Sequence, residues 1–497
     1  MFTLKVAFII LYYLILFVCA IYGIHRFFLL CLYYKHKRAD IKPKNHFHTL
    51  PRVTIQLPVF NEMYVVERLL DATSTIDYPK EKMEIQVLDD STDETSGILK
   101  NKADELRKNG YSVSYLHRED RKGYKAGALD EGLKQATGEF IAIFDADFVP
   151  QKDFLQKTIH HFTDESMGMI QLRWEHLNRN YSLLTRLQSI FIDGHFVIDQ
   201  AARSRSGRFF NFNGTAGIWR KRCIEGVGGW QHDTLTEDLD LSYRAQLSGW
   251  KFIYLSDTVT PGELPVEMNS FKSQQHRWAK GSIQTAKKIL PKIWKSPIPF
   301  KVKLEATLHL TNNMAYMLLM VLSILMLPVT LIRFDLGMGW YKLLIIDLPL
   351  FVAATLTVIV FFACSQKEIC KNWGERALFI PLAIALSIGL CVNNTRAVLE
   401  GIFNHETEFL RTPKYRIETT RDTWKEKKYK GKGGTLPIIE MSLGVYFTIT
   451  IIVASIKKNY MAIPFLIPFQ LGFLYVSSMS ILQEYGIWPI SLSRRKN

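Results

Sequence analysis

Apolar residues are concentrated at both ends of the chain, and the middle follows a different pattern. The first continuous apolar run covers residues 6–34. The later runs cover 308–332, 342–364, 377–399, 436–456 and 461–482. A helix of about 20 such residues, rising about 1.5 Å per residue, crosses the hydrocarbon core of a bilayer. No small-residue cleavage pattern follows the first run, so we expect it to remain as an anchor.

Short β-branched runs alternate with amphipathic patterns between residues 52 and 265, which is typical of an α/β domain. The pattern predicts strands at 53–57, 84–88 and 140–144 and a helix at 62–75. Acidic residues follow two of these strands directly, at 89–90 and 145–147. Because ligands bind at the carboxyl ends of strands in open α/β sheets, we expect these acids to lie at one rim.

Basic residues indicate the orientation in the membrane. The basic stretch 35–38 follows the first run, which by the positive-inside rule places the middle domain in the cytoplasm. The loop 401–435 is also dense in Lys and Arg, and it is cytoplasmic only if one of the five later runs does not cross. Residues 377–399 make the poorest span because they contain two asparagines and Arg396. We therefore predict five crossings, one before the middle domain and four after it, with residues 377–399 as an interfacial helix that lies along the membrane.

The composition narrows the possible partners. Lys and Arg total 62 against 47 Asp and Glu, a formal net charge of +15. No zinc-finger, homeodomain or other DNA-reading pattern is present, and the basic residues cluster beside apolar runs. We expect them to contact the headgroups of the lipid bilayer and no nucleic acid. The cysteines show no Cys-x-x-Cys or Cys/His spacing, so we expect neither disulfides nor a zinc site.

Asp145 and Asp147 stand two residues apart after a buried strand. Such a pair suits Mg²⁺ or Mn²⁺, which prefer oxygen ligands and bind through few protein carboxylates together with phosphate oxygens. An acidic turn at the end of a strand has the same sequence, and this short motif alone does not separate the two interpretations.

Thr236, Glu237 and Asp238 precede an amphipathic stretch at 239–247. Thr236 can therefore cap a helix, whose dipole favours an ionised carboxylate able to accept a proton. An ordinary capping acid gives the same pattern. In the stretch 274–278, Arg277 can pair with diphosphate oxygens and Trp278 can stack on a pyranose. A helix on the membrane surface is the alternative there.

Six motifs occur in a fixed order along the chain. They are Leu57-Pro58-Val59-Phe60-Asn61-Glu62, Leu88-Asp89-Asp90-Ser91-Thr92-Asp93, Lys122-Gly123-Tyr124-Lys125-Ala126-Gly127-Ala128-Leu129, Asp145-Ala146-Asp147, Thr236-Glu237-Asp238 and Gln274-x-x-Arg277-Trp278. This series resembles that of processive members of glycosyltransferase family two. It is most similar to cellulose-synthase-like A and C proteins and their bacterial relatives, which make β-linked mannan or glucan. The resemblance implies a GT-A type, Rossmann-like α/β catalytic domain with an α-helical transmembrane region.

The resemblance also implies roles for individual residues. Asp238 would be the general base of an inverting transfer, and Asp145 and Asp147 would hold Mg²⁺ or Mn²⁺. The donor would be bound by Asn61, Glu62, Asp90, Lys125 and Arg277. The acceptor would be bound by Gly214, Thr236, Glu237, Gln274 and Trp278. Residues Phe409, Thr412 and Lys414 are similar to a Phe-x-x-Thr-x-Lys gating loop, from which Arg411 and Pro413 depart.

We predict a transmembrane anchor at 1–38 and a cytoplasmic catalytic domain at 39–265. Interfacial helices are expected at 266–303. The membrane region would occupy 304–497 and include the cytoplasmic loop 401–435.

The implied activity is processive transfer of a hexose from a nucleotide sugar to a growing polysaccharide, coupled to translocation across a bacterial inner membrane. Similarity to mannan synthases favours GDP-mannose, whereas the wider family uses UDP-sugars such as UDP-glucose, and no residue separates guanine from uracil. Single transfer to a lipid acceptor is an alternative. A non-catalytic transporter or scaffold is another, against which the intact metal and base acids argue.

Overall fold

The middle of the chain forms a seven-stranded sheet. The computed structural model describes residues 2–38, 41–337, 340–405, 411–431 and 433–486, and side chains are described for all of these except 340–344. The strands are β1 (Val53–Val59), β2 (Met83–Asp89), β3 (Ser112–His117), β4 (Phe140–Ile143), β5 (Met167–His176), β6 (Gly217–Arg220) and β7 (Lys251–Gly262). Their order across the sheet is β3-β2-β1-β4-β6-β5-β7.

Parallel pairing joins β1 to β2 and β4, β2 to β3, and β5 to β7. Strand β6 runs antiparallel to its neighbours β4 and β5. Strands β1, β2 and β4 are buried along their whole length, as continuous apolar runs predict for strands covered on both faces. The three predicted strands are confirmed, and the acids that follow β2 and β4 leave the sheet at the same rim.

Helices cover both faces of this sheet and bury two apolar cores, one around Leu57 and Phe144 and the other around Leu129 and Trp219. The helices up to this point of the chain are α1 (Phe2–His36), α2 (Val66–Ser74), α3 (Thr95–Lys108), α4 (Tyr124–Gln135), α5 (Phe154–Thr158), α6 (Leu183–Asp193), α7 (Gln200–Arg205), α8 (Lys221–Gly226) and α9 (Glu237–Leu247).

The predicted helix 62–75 was wrong at its start, because α2 begins only at Val66. Asn61 has a left-handed backbone with φ of 52°, and the amide of Val65 donates to the carbonyl of Glu62 at 3.0 Å. These residues form a turn between β1 and α2. Glu62 therefore lies on the rim of the sheet and not on a helix.

The remainder of the chain is helical. These helices are α10 (Met268–Lys295), α11 (Phe300–Leu310), α12 (Met314–Asp335), α13 (Trp340–Phe351), α14 (Thr357–Ile369), α15 (Trp373–Ala377), α16 (Ile380–Gly389), α17 (Cys391–Ile402), α18 (Leu436–Ile456) and α19 (Ile463–Glu484). Short 3-10 or π-helical segments cover Lys80–Lys82, Ile159–Thr163, Gly194–Asp199, Val352–Leu356 and Tyr460–Ala462.

Five helical segments of the described chain are long and apolar enough to cross a membrane. They are Phe2–His36, Met314–Asp335, Ile345–Ile369, Leu436–Ile456 and Tyr460–Glu484. Each coincides with one of the apolar runs expected to cross. The run 377–399 falls instead on two stretches, Trp373–Gly389 and Cys391–Ile402, that bend by 46° at their junction. We call these two stretches together the bent pair.

Both ends of the bent pair lie beside the sheet domain or α10. At its end, Glu400 accepts from Lys280 of α10 at 3.3 Å and lies 3.0 Å from Nε2 of His276. At its start, Arg376 shares a polar cavity with His176 of β5 and with Thr420.

A buried carboxylate links helix α1 to the sheet domain. Glu305 of α11 lies 3.0 Å from Nε2 of His25 in α1 and accepts from Nε of Arg203 in α7 at 2.9 Å. All three side chains are less than one-tenth exposed. A charge removed from water is stable only when it is paired, so this group holds the three helices together.

Candidate active site

A cleft with about 1300 Å³ of space opens at the carboxyl ends of β1, β2 and β4. Most of the predicted site residues line it. They are Glu62, Asp90, Lys125, Asp145, Asp147, Gly214, Thr236, Glu237, Asp238, Gln274, Arg277, Trp278, Thr412 and Lys414. Residues far apart in sequence thus converge on one open space, which is the geometry that a two-substrate enzyme requires.

Two predicted residues are not placed in this cleft. Asn61 is turned toward Thr92, from whose amide its Oδ1 accepts at 2.8 Å, while its Nδ2 donates to the Thr92 hydroxyl at 3.3 Å. It therefore joins the loops after β1 and β2 and supports the rim. Phe409 lies outside the described residues.

Asp145 and Asp147 follow β4, and each is paired with a lysine. Lys125 of α4 donates to Asp145 and, at 2.8 Å, to the carbonyl of Gly214. Lys414 donates to Asp147 at 2.7 Å. Burial raises the pKa of Asp145, and the charge of Asp147 adds to this rise while Lys125 opposes it. The two carboxylates are therefore close enough to repel each other.

The residues present fit a divalent cation at Asp145 and Asp147. Carboxylates outnumber cationic side chains around the cleft: Glu62, Asp90, Asp145, Asp147, Glu175, Glu237, Asp238 and Glu263 face Arg121, Lys125, Arg277, Arg411 and Lys414. No group of three or more His, Cys, Asp or Glu ligands occurs in the described part of the chain. Two carboxylates completed by phosphate oxygens are the usual protein share of a Mg²⁺ site.

Asp238 lies in the first turn of α9 and lines the same cleft. Burial raises its pKa to about 7, and the adjacent charge of Glu237 contributes to the rise. A carboxylate tuned close to neutral pH can accept a proton from a hydroxyl and release it again. The raised pKa of Asp238 is therefore compatible with the predicted role of general base.

Thr236 occupies the position before α9, but its side chain does not cap the helix, contrary to the prediction. Its hydroxyl lies 3.2 Å from that of Thr285 in α10, and the amide of Leu235 donates to Gln284 at 3.0 Å. Packing against α10 has displaced the capping bond. The segment before Asp238 is thereby fixed to the helix that carries Arg277.

Gly214 brings the backbone close to the same acid. Its φ of +80° is a left-handed conformation that favours glycine. A Cβ at this position would lie 3.2 Å from Oδ2 of Asp238 and 3.4 Å from Nζ of Lys125. Any side chain here would enter the space between Asp238 and Lys125, so only glycine keeps that space open.

Helix α10 places Gln274, Arg277 and Trp278 along the cleft. Burial lowers the pKa of Arg277, whereas the neighbouring carboxylates of Glu237 and Asp145 raise it. The carboxamide oxygen of Gln274 is buried and has no hydrogen-bond partner in the described part of the protein. A fixed cation, a ring and an unsatisfied acceptor suit a phosphate beside a polyhydroxylated ligand.

Asp90, predicted to bind the donor, also lines the cleft. Nε and Nη2 of Arg118 donate hydrogen bonds to its carboxylate at 2.7 and 2.6 Å. Next to it, the guanidinium carbon of Arg121 lies 3.2 Å from the ring centre of Phe60. Nε of Arg121 is buried without a hydrogen-bond partner among the described residues. This part of the cleft is thus lined by the oriented carboxylate of Asp90 and the stacked cation of Arg121.

Residues 411–431, which we call the strap, lie across the cleft. Arg411 donates to Glu62 at 2.7 Å and to the carbonyl of Asn61. Burial raises the pKa of Glu62 to about 7, and Arg411 opposes that rise. Further along, Lys428 donates to Glu94 at 2.7 Å and Tyr429 donates to Asp93. The strap is therefore joined to the rim at both of its ends.

Several cleft residues were missed from the sequence. Arg121 lines the cleft, and Arg118 binds the cleft residue Asp90. Both stand in a charged stretch directly after β3, whose end meets the same rim, and this position was the available signal. Trp174 and His176 lie at the end of β5 and also line the cleft. In the sequence, Arg411 is only a departure from the gating-loop motif, because no local pattern shows that it reaches Glu62.

The fold and the site define a GT-A type transferase domain. A mannosyltransferase from Pyrobaculum calidifontis, solved in complex with GDP-Man and Mn²⁺, has the same fold. Its TM-score is 0.50 at 21% identity, and the match covers 79% of this chain and 100% of that one. Residues 51–281 match the family described as Glycosyltransferase like family 2 and thus form a family 2 glycosyltransferase domain.

Curated relatives are similar over the same part of the chain. Glucomannan 4-beta-mannosyltransferase 1 of Oryza sativa subsp. japonica is 39% identical over 279 residues, 55% of this chain and 53% of that protein. Probable glucomannan 4-beta-mannosyltransferase 11 of the same plant is 43% identical over 248 residues, 49% of this chain and 44% of that protein. The matched stretches thus cover about half the length of these relatives.

Proposed function

We propose that this protein is a β-glycan synthase that transfers mannose from GDP-mannose, with inversion, to a hydroxyl of a growing mannan or glucomannan. The observation that carries the proposal is the convergence of Asp238, the pair Asp145 and Asp147, and Arg277 on one cleft. The names of the two rice relatives and the GDP-Man in the archaeal structure support the choice of sugar and nucleotide.

In the proposed reaction, Asp238 accepts the proton of the acceptor hydroxyl as its oxygen attacks the anomeric carbon. The bond from that carbon to the diphosphate breaks, and its electron pair leaves on the diphosphate. Arg277 and Lys125 lie where they can stabilise the negative charge that develops there. Attack from the face opposite the leaving group inverts the configuration of the sugar.

Asp145 and Asp147 would hold the divalent cation, which would neutralise charge on the diphosphate when bound. Asp90 and Arg121 would bind the nucleoside at the far end of the cleft. Gln274 and Trp278 would support the acceptor. Thr412 and Lys414 of the strap would cover the donor, as expected of a gating loop.

Processive synthesis and translocation are the finer part of the proposal. The five candidate spans provide helices through which a polymer could pass beside α10. Bound at Trp278, the new chain end would have to advance by one sugar after each transfer. The same cleft with a lipid acceptor would stop after one transfer, so product length separates the two functions.

The test uses the full-length protein in proteoliposomes with Mn²⁺ and radiolabelled GDP-mannose, GDP-glucose or UDP-glucose. We expect label from GDP-mannose in a long product that a β-mannanase digests, and at least about 10²-fold less label with Asp238→Asn. Label from UDP-glucose alone would refute the choice of donor. Label confined to a lipid-extractable product carrying one sugar would refute processive synthesis.

A further inference from the structure

The carboxylate of Asp147 is already bound by a cation that belongs to the protein. Nζ of Lys414 lies 2.7 Å from Oδ2 of Asp147, and each of the two residues is 7% exposed. The same ammonium also donates to the carbonyl of Glu263. This pair is thus shielded from water and from the salt that weakens surface ion pairs.

The backbone around Lys414 is fixed in this position. The amides of Tyr415 and Arg416 each donate to the carboxylate of Glu263 at 2.9 Å. The Tyr415 side chain is 1% exposed, and its hydroxyl donates to Glu267 at 2.5 Å. The ordered backbone of this segment thus holds Lys414 beside Asp147.

A divalent cation and this ammonium compete for the same oxygen. Mg²⁺ binds carboxylate oxygens at about 2.1 Å in a near-octahedral shell. A positive charge 2.7 Å from one of those oxygens would be repelled by the ion and would occupy a place in its shell. Asp147 therefore serves the lysine or the metal, and not both in this geometry.

We propose that Lys414 is an internal counter-ion that holds Asp147 in the metal-free protein, and that binding of the divalent cation displaces it and loosens the strap. The proposal rests on the proposed function only in taking Asp145 and Asp147 as the metal carboxylates. Asp145 is paired with a different lysine, Lys125, but that lysine lies on α4 within the sheet domain. Displacing Lys414 moves the strap, so metal binding and access to the cleft are linked.

The first experiment measures Mn²⁺ binding by electron paramagnetic resonance on the full chain in detergent, without donor. We compare the unchanged protein with Lys414→Met and with Lys428→Met, a control on the same strap that removes an exposed charge paired to Glu94. If the strap is closed in about nine of ten molecules, Lys414→Met binds Mn²⁺ about tenfold more tightly. Lys428→Met keeps the original affinity.

Unchanged or weaker Mn²⁺ affinity in Lys414→Met overturns the proposal. That result is expected if the lysine serves only to grip the donor phosphates. If none of the proteins binds Mn²⁺ without donor, this inference is overturned, whereas a metal site completed by the phosphates of the donor stands. If all bind equally, only the competition falls and the proposed function stands.

A second measurement uses the unchanged protein, so it does not depend on how a variant folds. The bond after Arg416 follows the buried Tyr415, and we expect trypsin to cut it faster when Mn²⁺ is present, as quantified by mass spectrometry. In Asp147→Asn the rate should not respond to Mn²⁺. A cleavage rate in the unchanged protein that Mn²⁺ does not raise contradicts the displacement of the strap.

Discussion

Asp238 illustrates how the function depends on single residues. The carboxylate lies at the start of α9, and its pKa is raised by burial and by Glu237. The backbone of Gly214 leaves the space in front of it open. The proposed function assigns catalysis and donor binding to different side chains of one cleft, so substitutions can separate the two roles.

Asp238→Asn keeps the size of the side chain and removes the basic oxygen. We expect turnover to fall by about 10²–10⁴-fold, the usual contribution of a general base. Donor affinity should remain close to that of the unchanged protein, because the donor is bound by other residues. Initial rates and donor binding are measured on the same preparation.

Arg277→Ala provides the contrast. In the proposed reaction the charge of Arg277 stabilises the leaving diphosphate, so we expect both turnover and donor affinity to decrease. Near-normal turnover in Asp238→Asn would transfer the role of base to Glu237, which lies beside it in α9.

The raised pKa of Asp238 also predicts a pH dependence. A base acts in its deprotonated form, and a raised pKa means that this form is lost well above the ordinary aspartate range. Turnover at saturating donor should therefore fall about tenfold per pH unit on the acidic side of neutrality. A flat profile down to pH 5 would show that another group accepts the proton.

At the scale of elements, the position of α10 sets the distance between Asp238 and Arg277. Gly281 of α10 faces the segment before α9, where an added Cβ would lie 2.5 Å from Cγ2 and 2.9 Å from the backbone nitrogen of Thr236. Two backbone segments therefore meet without a side chain between them. Arg277 lies one turn earlier on the same helix.

Gly281→Ala should push α10 away from Thr236 and so separate Arg277 from Asp238. Since a displacement of about 1 Å can cost about 10²-fold in rate, we expect a loss of about 10–10²-fold in turnover. Gly97→Ala is the control, because that glycine is exposed in α3 and nothing lies within 4 Å of an added Cβ. It should keep full turnover and stabilise the domain by about 0.5–1 kcal/mol. Full activity of Gly281→Ala would mean that α10 can shift without harm.

The elements that the sequence predicted well are those defined by local patterns. Strands β1, β2 and β4 are buried apolar runs, and the acids after β2 and β4 follow from the direction of the chain. The late start of α2 and the uncapped side chain of Thr236 result from contacts with distant residues, Thr92 and Thr285. The pairing of Arg411 with Glu62 spans 349 positions, and no periodicity encodes it.

At the scale of the whole molecule, two loops share a compartment when an even number of membrane crossings separates them. Both ends of the bent pair lie beside the sheet domain or α10, which supports our proposal that this pair does not cross. Five crossings then put the strap on the cytoplasmic side with the domain that it contacts. The turn between α18 and α19 would lie on the opposite side.

Cysteine labelling tests this arrangement. Tyr460→Cys places a thiol at an exposed position in that turn, and Lys100→Cys places one on α3 of the sheet domain. With a membrane-impermeant maleimide on intact cells, we expect labelling above the parent protein for Tyr460→Cys only. Lys100→Cys should react after permeabilisation. A Tyr460→Cys variant that stays unlabelled on intact cells would contradict five crossings.

The buried carboxylate of Glu305 has a consequence for biosynthesis. His25 is made 280 positions before Glu305, so α1 enters the membrane long before this partner exists. Arg203, the other partner, belongs to a domain that must fold in the interval. Helix α1 can reach its final packed position only after α11 has been translated. Its docking is therefore a late step of assembly, which a molecule with an unfinished catalytic domain does not complete.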